Sequence, residues 1–328
     1  IMAISKIKFI VTDGNLFSAI AGEDHVSALV FDVTESPVTG TTIAADGEVH
    51  QIFSIKEAEA LGIDGIVDPS NPTGDEYENG VVHKHISDFF TINPNGELFV
   101  GLADCSSDFS HISKTQTVAQ SRIRQFGVYT DQELFSGTTS YVLASYVAAI
   151  DTIAEADADN NKPYSVIICG NSATVGGGAT DVEIGKIPTA VSNLNRVSLC
   201  LGQDNSELVR AIQTANSKAL VGCVGTLIGA VSLASVHESI GWTSKFNVSS
   251  AIGTIAFGFG GVVTDINDNT PEGALNDQQL NVLDDYGYIF PLRYPDLAAV
   301  YISSNKTLTS GDYKTIARNR AIDKSRRN

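Results

Sequence analysis

Short runs rich in β-branched and aromatic residues recur along this chain, and stretches with helical spacing lie between them. HVSALVFDV at 25–33, ELFVGLA at 97–103 and FGVY at 126–129 read as strands, and YSVIIC at 164–169 and RVSLCLG at 196–202 read as buried ones. Ser54-Ile55-Lys56-Glu57 spells a capping box that opens a helix running to about Leu61. Further helices are predicted around 113–124 and over 139–157, where Val142, Tyr146, Ala149, Ile150 and Ile153 share one face. Asp204-Asn205-Ser206-Glu207 opens another, carrying Leu208, Ala211, Ile212 and Ala215. This alternation implies an α/β fold, a mixed and largely parallel sheet flanked by helices, with an inserted or appended smaller subdomain.

Two stretches break the rhythm. Residues 64–84 and 264–281 are dense in Asp, Asn, Gly and Pro, and are expected as long surface excursions that carry contacts with partners. Residues 1–24, which include SKIKFIVTD, are expected as an extended N-terminal arm, since a short strand ahead of the first core strand has little to pack on by itself. The core then covers 25–282, and 283–328 forms a strand, strand and helix ending.

With 328 residues, 43% of them hydrophobic, the chain can bury one large core or two ordinary ones. A net charge of −17 and a pI near 4.6 argue against a nucleic-acid partner, whose phosphates this surface repels. Cys105, Cys169, Cys200 and Cys223 sit in apolar contexts and read as reduced core thiols. IMAISKIKFIVTDG has neither a sustained apolar run nor a cleavage site, so no secretory signal is expected, and Ile1 before Met2 reads as a remnant. Ala219 to Val236 is uncharged and holds Gly225-x-x-x-Gly229, which suits a short membrane span or a small-residue helix packed closely under a sheet. Its weak hydropathy favours the packed helix, and no membrane partner is expected.

The motifs for chemistry are incomplete. Asp265 to Asn269 imitates a calcium loop, but Thr270 replaces the required Gly and Asn276 stands where the bidentate Glu belongs. His83 and His85 could offer two ligands on one strand face, with no third at a recognisable spacing. The glycines of Ala173 to Thr180 lack the Lys-Ser/Thr of a phosphate loop. Cys105 follows a strand as a nucleophile might, with His111 near it in sequence, yet nothing marks an oxyanion hole. Neither enzyme activity, cofactor nor metal is expected.

The end of the chain points elsewhere. Between Asp312 and Arg327 lie Lys314, Arg318, Arg320, Lys324, Arg326 and Arg327, against only Asp312 and Asp323, so a basic helix is attached to an acidic body. Tyr313, Ile316 and Ala317 form an apolar stripe that Arg320, Lys324 and Arg327 continue, and this face is expected to dock on an acidic surface outside the chain. All six basic residues are therefore candidate assembly contacts. The stop at Arg326-Arg327-Asn328, without Gly or Pro, suggests a truncated helix.

Gly287-Tyr288-Ile289-Phe290, Val300-Tyr301 and the run from Asp312-Tyr313 to Asp323-Lys324 resemble the C-terminal part of the sheath domain in contractile phage tail sheath proteins. The sheath-like family of Bacteroidetes phages and prophages is the most similar. Glu57 to Ile63, His85 to Phe90, Ile123 to Val128 and His237 to Trp242 extend the resemblance over most of the chain. It implies a structural protomer that forms hexameric rings with copies of itself around a tail tube protein, and drives injection by rearrangement. It also implies a place in the virion tail, assembled in the host cytoplasm. Sheath proteins usually continue past this helix into a module that faces the tube. The alternative from another class is an α/β enzyme with a small-molecule site at the strand C-termini.

Overall fold

The computed structural model describes residues 23–65, 74–105, 108–130, 143–169, 193–200, 203–204, 222–252, 255–256, 281, 284–285, 287–293, 297 and 299–327. After a 3-10 turn at Glu23–His25, the order is β1 (Ser27–Asp32), β2 (Glu35–Ser36), β3 (Thr41–Thr42), β4 (Glu48–Ile52), α1 (Ile55–Ala60), α2 (Gly74–Ile92), β5 (Leu98–Ala103), α3 (His111–Val118) and β6 (Gln125–Tyr129). Then come α4 (Leu143–Asp159), β7 (Ser165–Cys169), β8 (Val197–Cys200), β9 (Gln203–Asp204), α5 (Val224–Leu233), β10 (Ile255–Ala256), β11 (Pro291–Arg293), β12 (Val300–Ile302) and α6 (Ile316–Arg327).

Six strands form the central sheet in the order β4-β5-β1-β6-β7-β8. All neighbours are parallel except β4, which runs antiparallel along β5 at one edge. The fold is therefore mixed α/β with a mostly parallel sheet. The pairs β2/β3, β9/β10 and β11/β12 are small antiparallel additions.

The period of two along each strand sorts its side chains between two cores. Leu29 and Phe31 of β1 join Leu98, Val100 and Leu102 of β5 under α2 and α5. Ala28 and Val30 face the other way, with Phe126, Val128, Val166 and Ile168, under α3 and α4. Because both faces are covered, the strands read as apolar runs rather than alternating ones.

Local signals explain several element ends. Ser54 Oγ accepts the Glu57 amide at 3.4 Å, and the Glu57 carboxylate accepts the Phe53 amide at 2.8 Å, so the cap forms where the sequence places it, with Glu57 reaching the amide one residue before the N-cap. Helix α3 stops at Val118 rather than near 124, because Gln120 and Ser121 take positive φ and the Gln116 side chain bonds both the amide and the carbonyl of Ile123. The core face of α4 is Val147, Ile150, Asp151, Ala154 and Asp157, whereas Ala149 of the expected face is exposed. Polar partners set that rotation. Asp151 accepts the Arg196 amide at 2.9 Å, and Asp157 accepts the hydroxyls of Ser113 and Tyr164 at 2.7 Å each.

The stretch 64–84 is not one long excursion. Helix α2 begins at Gly74, and Val81, Val82, Lys84 and His85 are buried. Lys84 is hidden because Asp88, one turn later, pairs with its ammonium at 2.6 Å. Residues 66–73 of that stretch, the arm before residue 23, the excursion up to residue 280 with its calcium-loop imitation, the glycines at 173–180 and the helix expected after Asp204 lie outside the described residues, Gln203–Asp204 itself being a strand.

Helix α5 is the small-residue segment, and it is an internal packing element. A Cβ on Gly225 would lie 2.1 Å from the His85 carbonyl oxygen, and one on Gly229 would lie 3.0 Å from that of Phe89, so the glycines let α5 lie against the α2 backbone. No helix among the described residues is long and apolar enough to cross a membrane.

Candidate functional site

Helix α6 returns along the chain's own first described residues. Its buried residues are Ile316, Asn319, Arg320 and Asp323, a helical stripe in which only the first is apolar. Such a stripe stays buried only when each polar group finds a partner. Arg320 donates to the carbonyls of Ala234 and Asp24, at 3.2 and 3.0 Å. The Asp24 carboxylate takes Arg327 at 2.7 Å and also pairs with Lys324. Burial holds the Arg320 guanidinium down to about 10, opposed by the Asp24 charge.

Arg320, Lys324 and Arg327, expected to dock outside the chain, thus find partners inside it, two carbonyls for the first and the Asp24 carboxylate for the others. The physical reason is that Asp24, nearly 300 positions away in sequence, lies beneath the last turns of α6. Tyr313 precedes the helix rather than opening it, and Ala317 is half-buried. The other three basic residues differ. Lys314, Arg318 and Arg326 are exposed. Arg318 pairs with exposed Asp312 at 3.1 Å, and Arg326 donates to the Tyr313 hydroxyl at 2.7 Å.

Beside α6 lies Arg196, just ahead of β8, with about 1% of its side chain exposed. It pairs with Asp323 at 3.0 Å and with Glu155 at 3.3 Å, and its guanidinium lies 5.7 Å from the centre of the Tyr313 ring. This residue ties α4, the β8 edge and α6 together. A lone Arg before a strand gave no sign of that role.

The C-terminal ends of the parallel strands gather the remaining polar groups. Asp32, closing β1, accepts the Cys105 amide at 2.8 Å and the Thr130 hydroxyl at 2.7 Å. Burial pushes the Cys105 thiol up, and the charges of Asp32, Asp104 and Asp108 push it further. His111 spends Nε2 on the Glu48 carbonyl at 3.0 Å. Cys105 is therefore a protonated thiol in a carboxylate-rich setting, the opposite of an activated nucleophile. His83 and His85 lie on helix α2 rather than on a strand, and they part company. The first meets Glu59 at 3.4 Å, and the second is fully buried between Phe31 and Tyr129. Two positions apart on a helix point about 200° away from one another, so no shared face arises.

Cys169 ends β7, Cys200 ends β8, and Cys223 caps α5. Their Sγ atoms all lie within 4.8 Å of one another, with Cys200 and Cys223 at 3.3 Å. Cys200 and Cys223 hold the Cys169 thiol below its ordinary value, while burial drives Cys200 up. The convergence escaped sequence reading because the spacing fits no metal motif. The available signal was that YSVIIC and RVSLCLG each carry a cysteine near the end of their strand.

Residues 4–306 match the model of the family described as DUF2586, N-terminal domain. The chain belongs to this family. No match is found among curated proteins. In fold, this DUF2586 domain is similar to a chain in the cryo-EM structure of the anti-feeding prophage (AFP) baseplate, 6-fold symmetrised, at 12% identity and a TM-score of 0.50. All of this chain is covered, and 75% of that chain. It is also similar to a chain of an extracellular contractile injection system, the PVC sheath complex in the contracted state, at 10% identity and a TM-score of 0.51. There 92% of this chain and 66% of that chain are covered.

Proposed function

We propose that this DUF2586 domain is a structural protomer of a contractile tail or injection apparatus, of the sheath type, polymerising in rings around a tube and driving injection by rearrangement. The observation that carries the reading is the likeness of fold to two chains from such assemblies, over 92 to 100% of this chain. The order of the motifs from Glu57 to Lys324 supports the finer assignment to sheath proteins of Bacteroidetes phages and prophages. On this reading the protein belongs to the virion tail and meets copies of itself and a tube protein.

Two surfaces suit such contacts. Lys314, Arg318 and Arg326 form an exposed basic face on a chain of charge −17, so an acidic face of a neighbouring copy is a matched partner. Strand β4 closes one edge of the sheet with no strand beyond it among the described residues, while the β8 edge is already met by Ile289 and Leu308, whose amides donate to Leu199 and Val197. An N-terminal arm such as SKIKFIVTD from another copy can add to an edge like β4 through main-chain hydrogen bonds.

The test is negative-stain microscopy of the full-length gene product expressed with its tube protein. Rings or tubes are expected. Lys314→Glu with Arg318→Glu should abolish them while leaving thermal unfolding of the protomer within a few degrees. A protein that stays monomeric beside its tube at every salt concentration would sink the proposal.

A further inference from the structure

Three of the four cysteines come from elements far apart in sequence and meet at one buried point. Cys169 and Cys200 are register partners at the last residues of adjacent parallel strands, so their side chains leave the same face of the sheet. Cys223 reaches that face from the start of α5. All three are fully buried, and each is free of a disulfide. For an ion bound by sulfur at about 2.3 Å, the sulfurs must stand about 3.8 Å apart in a tetrahedral site and about 4.0 Å apart in a trigonal one. The 3.3 Å between Cys200 and Cys223, with all three sulfurs inside 4.8 Å, brackets those spacings. Movements well under 1 Å would convert the array into a ligand set.

We propose that Cys169, Cys200 and Cys223 form a binding site for one soft d10 cation, Zn2+ or Cu+, that joins the ends of β7 and β8 to the start of α5. Thiolate ligands select this class over hard cations such as Mg2+ and Ca2+. Among the described residues no fourth His, Cys, Asp or Glu joins the group. A site of three sulfurs closed to water suits a trigonal ion, while Zn2+ would recruit a fourth ligand. The bound ion would cross-link three segments that no other covalent or metal tie connects among the described residues.

The test uses the whole chain, purified without chelator, then dialysed and offered Zn2+ in air-free buffer or Cu+ under anaerobic conditions. Elemental analysis should find about one ion per chain, and which of the two metals is retained identifies the ion. Co2+ as a spectroscopic probe should give an intense thiolate-to-cobalt charge-transfer band. Cys169→Ser, Cys200→Ser and Cys223→Ser should each take bound metal from about one per chain to about none, whereas Cys105→Ser should leave it unchanged. Should a serine variant fail to fold, the wild-type protein still decides the matter. Four reactive thiols on denaturation, with no ion retained from either metal, would overturn the proposal, as would a Cys200–Cys223 disulfide found by peptide mapping.

Discussion

Arg196 is the largest side chain that the described fold hides completely, and its position decides what a mutation there does. Removing one partner of a buried ion pair leaves the other charge stranded, at a cost of about 3–5 kcal/mol, whereas replacing both by apolar groups is often nearly neutral. Asp323→Ala leaves the guanidinium with Glu155 alone and should therefore lower stability by about 3 kcal/mol, the lower end of that range, in urea unfolding, and Arg196→Met with Asp323→Leu should restore most of it. A loss below about 1 kcal/mol for the single variant would mean that the pair is incidental. His85 has a different signature. Burial, aided by the neighbouring Lys84 charge, holds its imidazole down to about 3, against 6.5 for an ordinary histidine. The sign follows from which state binds protons. Between pH 6.5 and about 3 the unfolded chain takes up a proton that the folded one refuses, so stability falls as pH falls, by about 1.4 kcal/mol per unit at the limit. Above pH 6.5 the group contributes no slope. In His85→Gln that part of the acid sensitivity should vanish, and parallel urea titrations at pH 7, 6 and 5 would show it. Identical slopes for the two proteins would place the destabilising proton elsewhere.

At the scale of elements, α6 shows what sequence reading can and cannot reach. Its existence and basic character were plain from residues 312–327, as were β1, β5 to β8 and the capping box of α1, because these depend on neighbours a few positions away. Its docking was not, because Asp24, Ala234 and Arg196 are brought to it only by the finished sheet. The same limit hid the thiol cluster, which exists only once β7 and β8 lie side by side in register. It also misplaced the core face of α4, since buried Asp151 and Asp157 look like solvent-facing acids until Arg196 and Tyr164 are beside them. Helix α2 was missed altogether, because its polar first half looks like a surface excursion and His83 and His85 look like strand residues. A prediction separates the two faces of α6. Arg320→Glu puts a carboxylate against the carbonyls of Ala234 and Asp24 and should cost several kcal/mol, on the order of other buried charges without a partner. Arg318→Glu faces solvent and should change stability by at most about 1 kcal/mol. Thermal unfolding of both variants would check this, and equal effects would contradict the assigned burial.

For the whole molecule, charge and topology act together. A chain of −17 repels its own copies over about 10 Å at 0.1 M salt and less as salt rises. Self-association of the isolated domain should therefore be weak in dilute buffer and strengthen toward 0.5 M salt, as read by sedimentation velocity; a stable hexamer at low ionic strength would contradict it. The topology adds a mechanical consequence. Asp24 receives Lys324 and Arg327 on its carboxylate and Arg320 on its carbonyl, so the turn that leads into β1 and helix α6 are tied at one residue. Tension arriving through the segment before Glu23 meets this knot before it reaches β1. Tension applied at Arg327 meets the same knot from the other side. Three polar contacts loaded together resist such a pull far better than contacts peeled singly, and Asp323 shares the load with the β8 edge through Arg196.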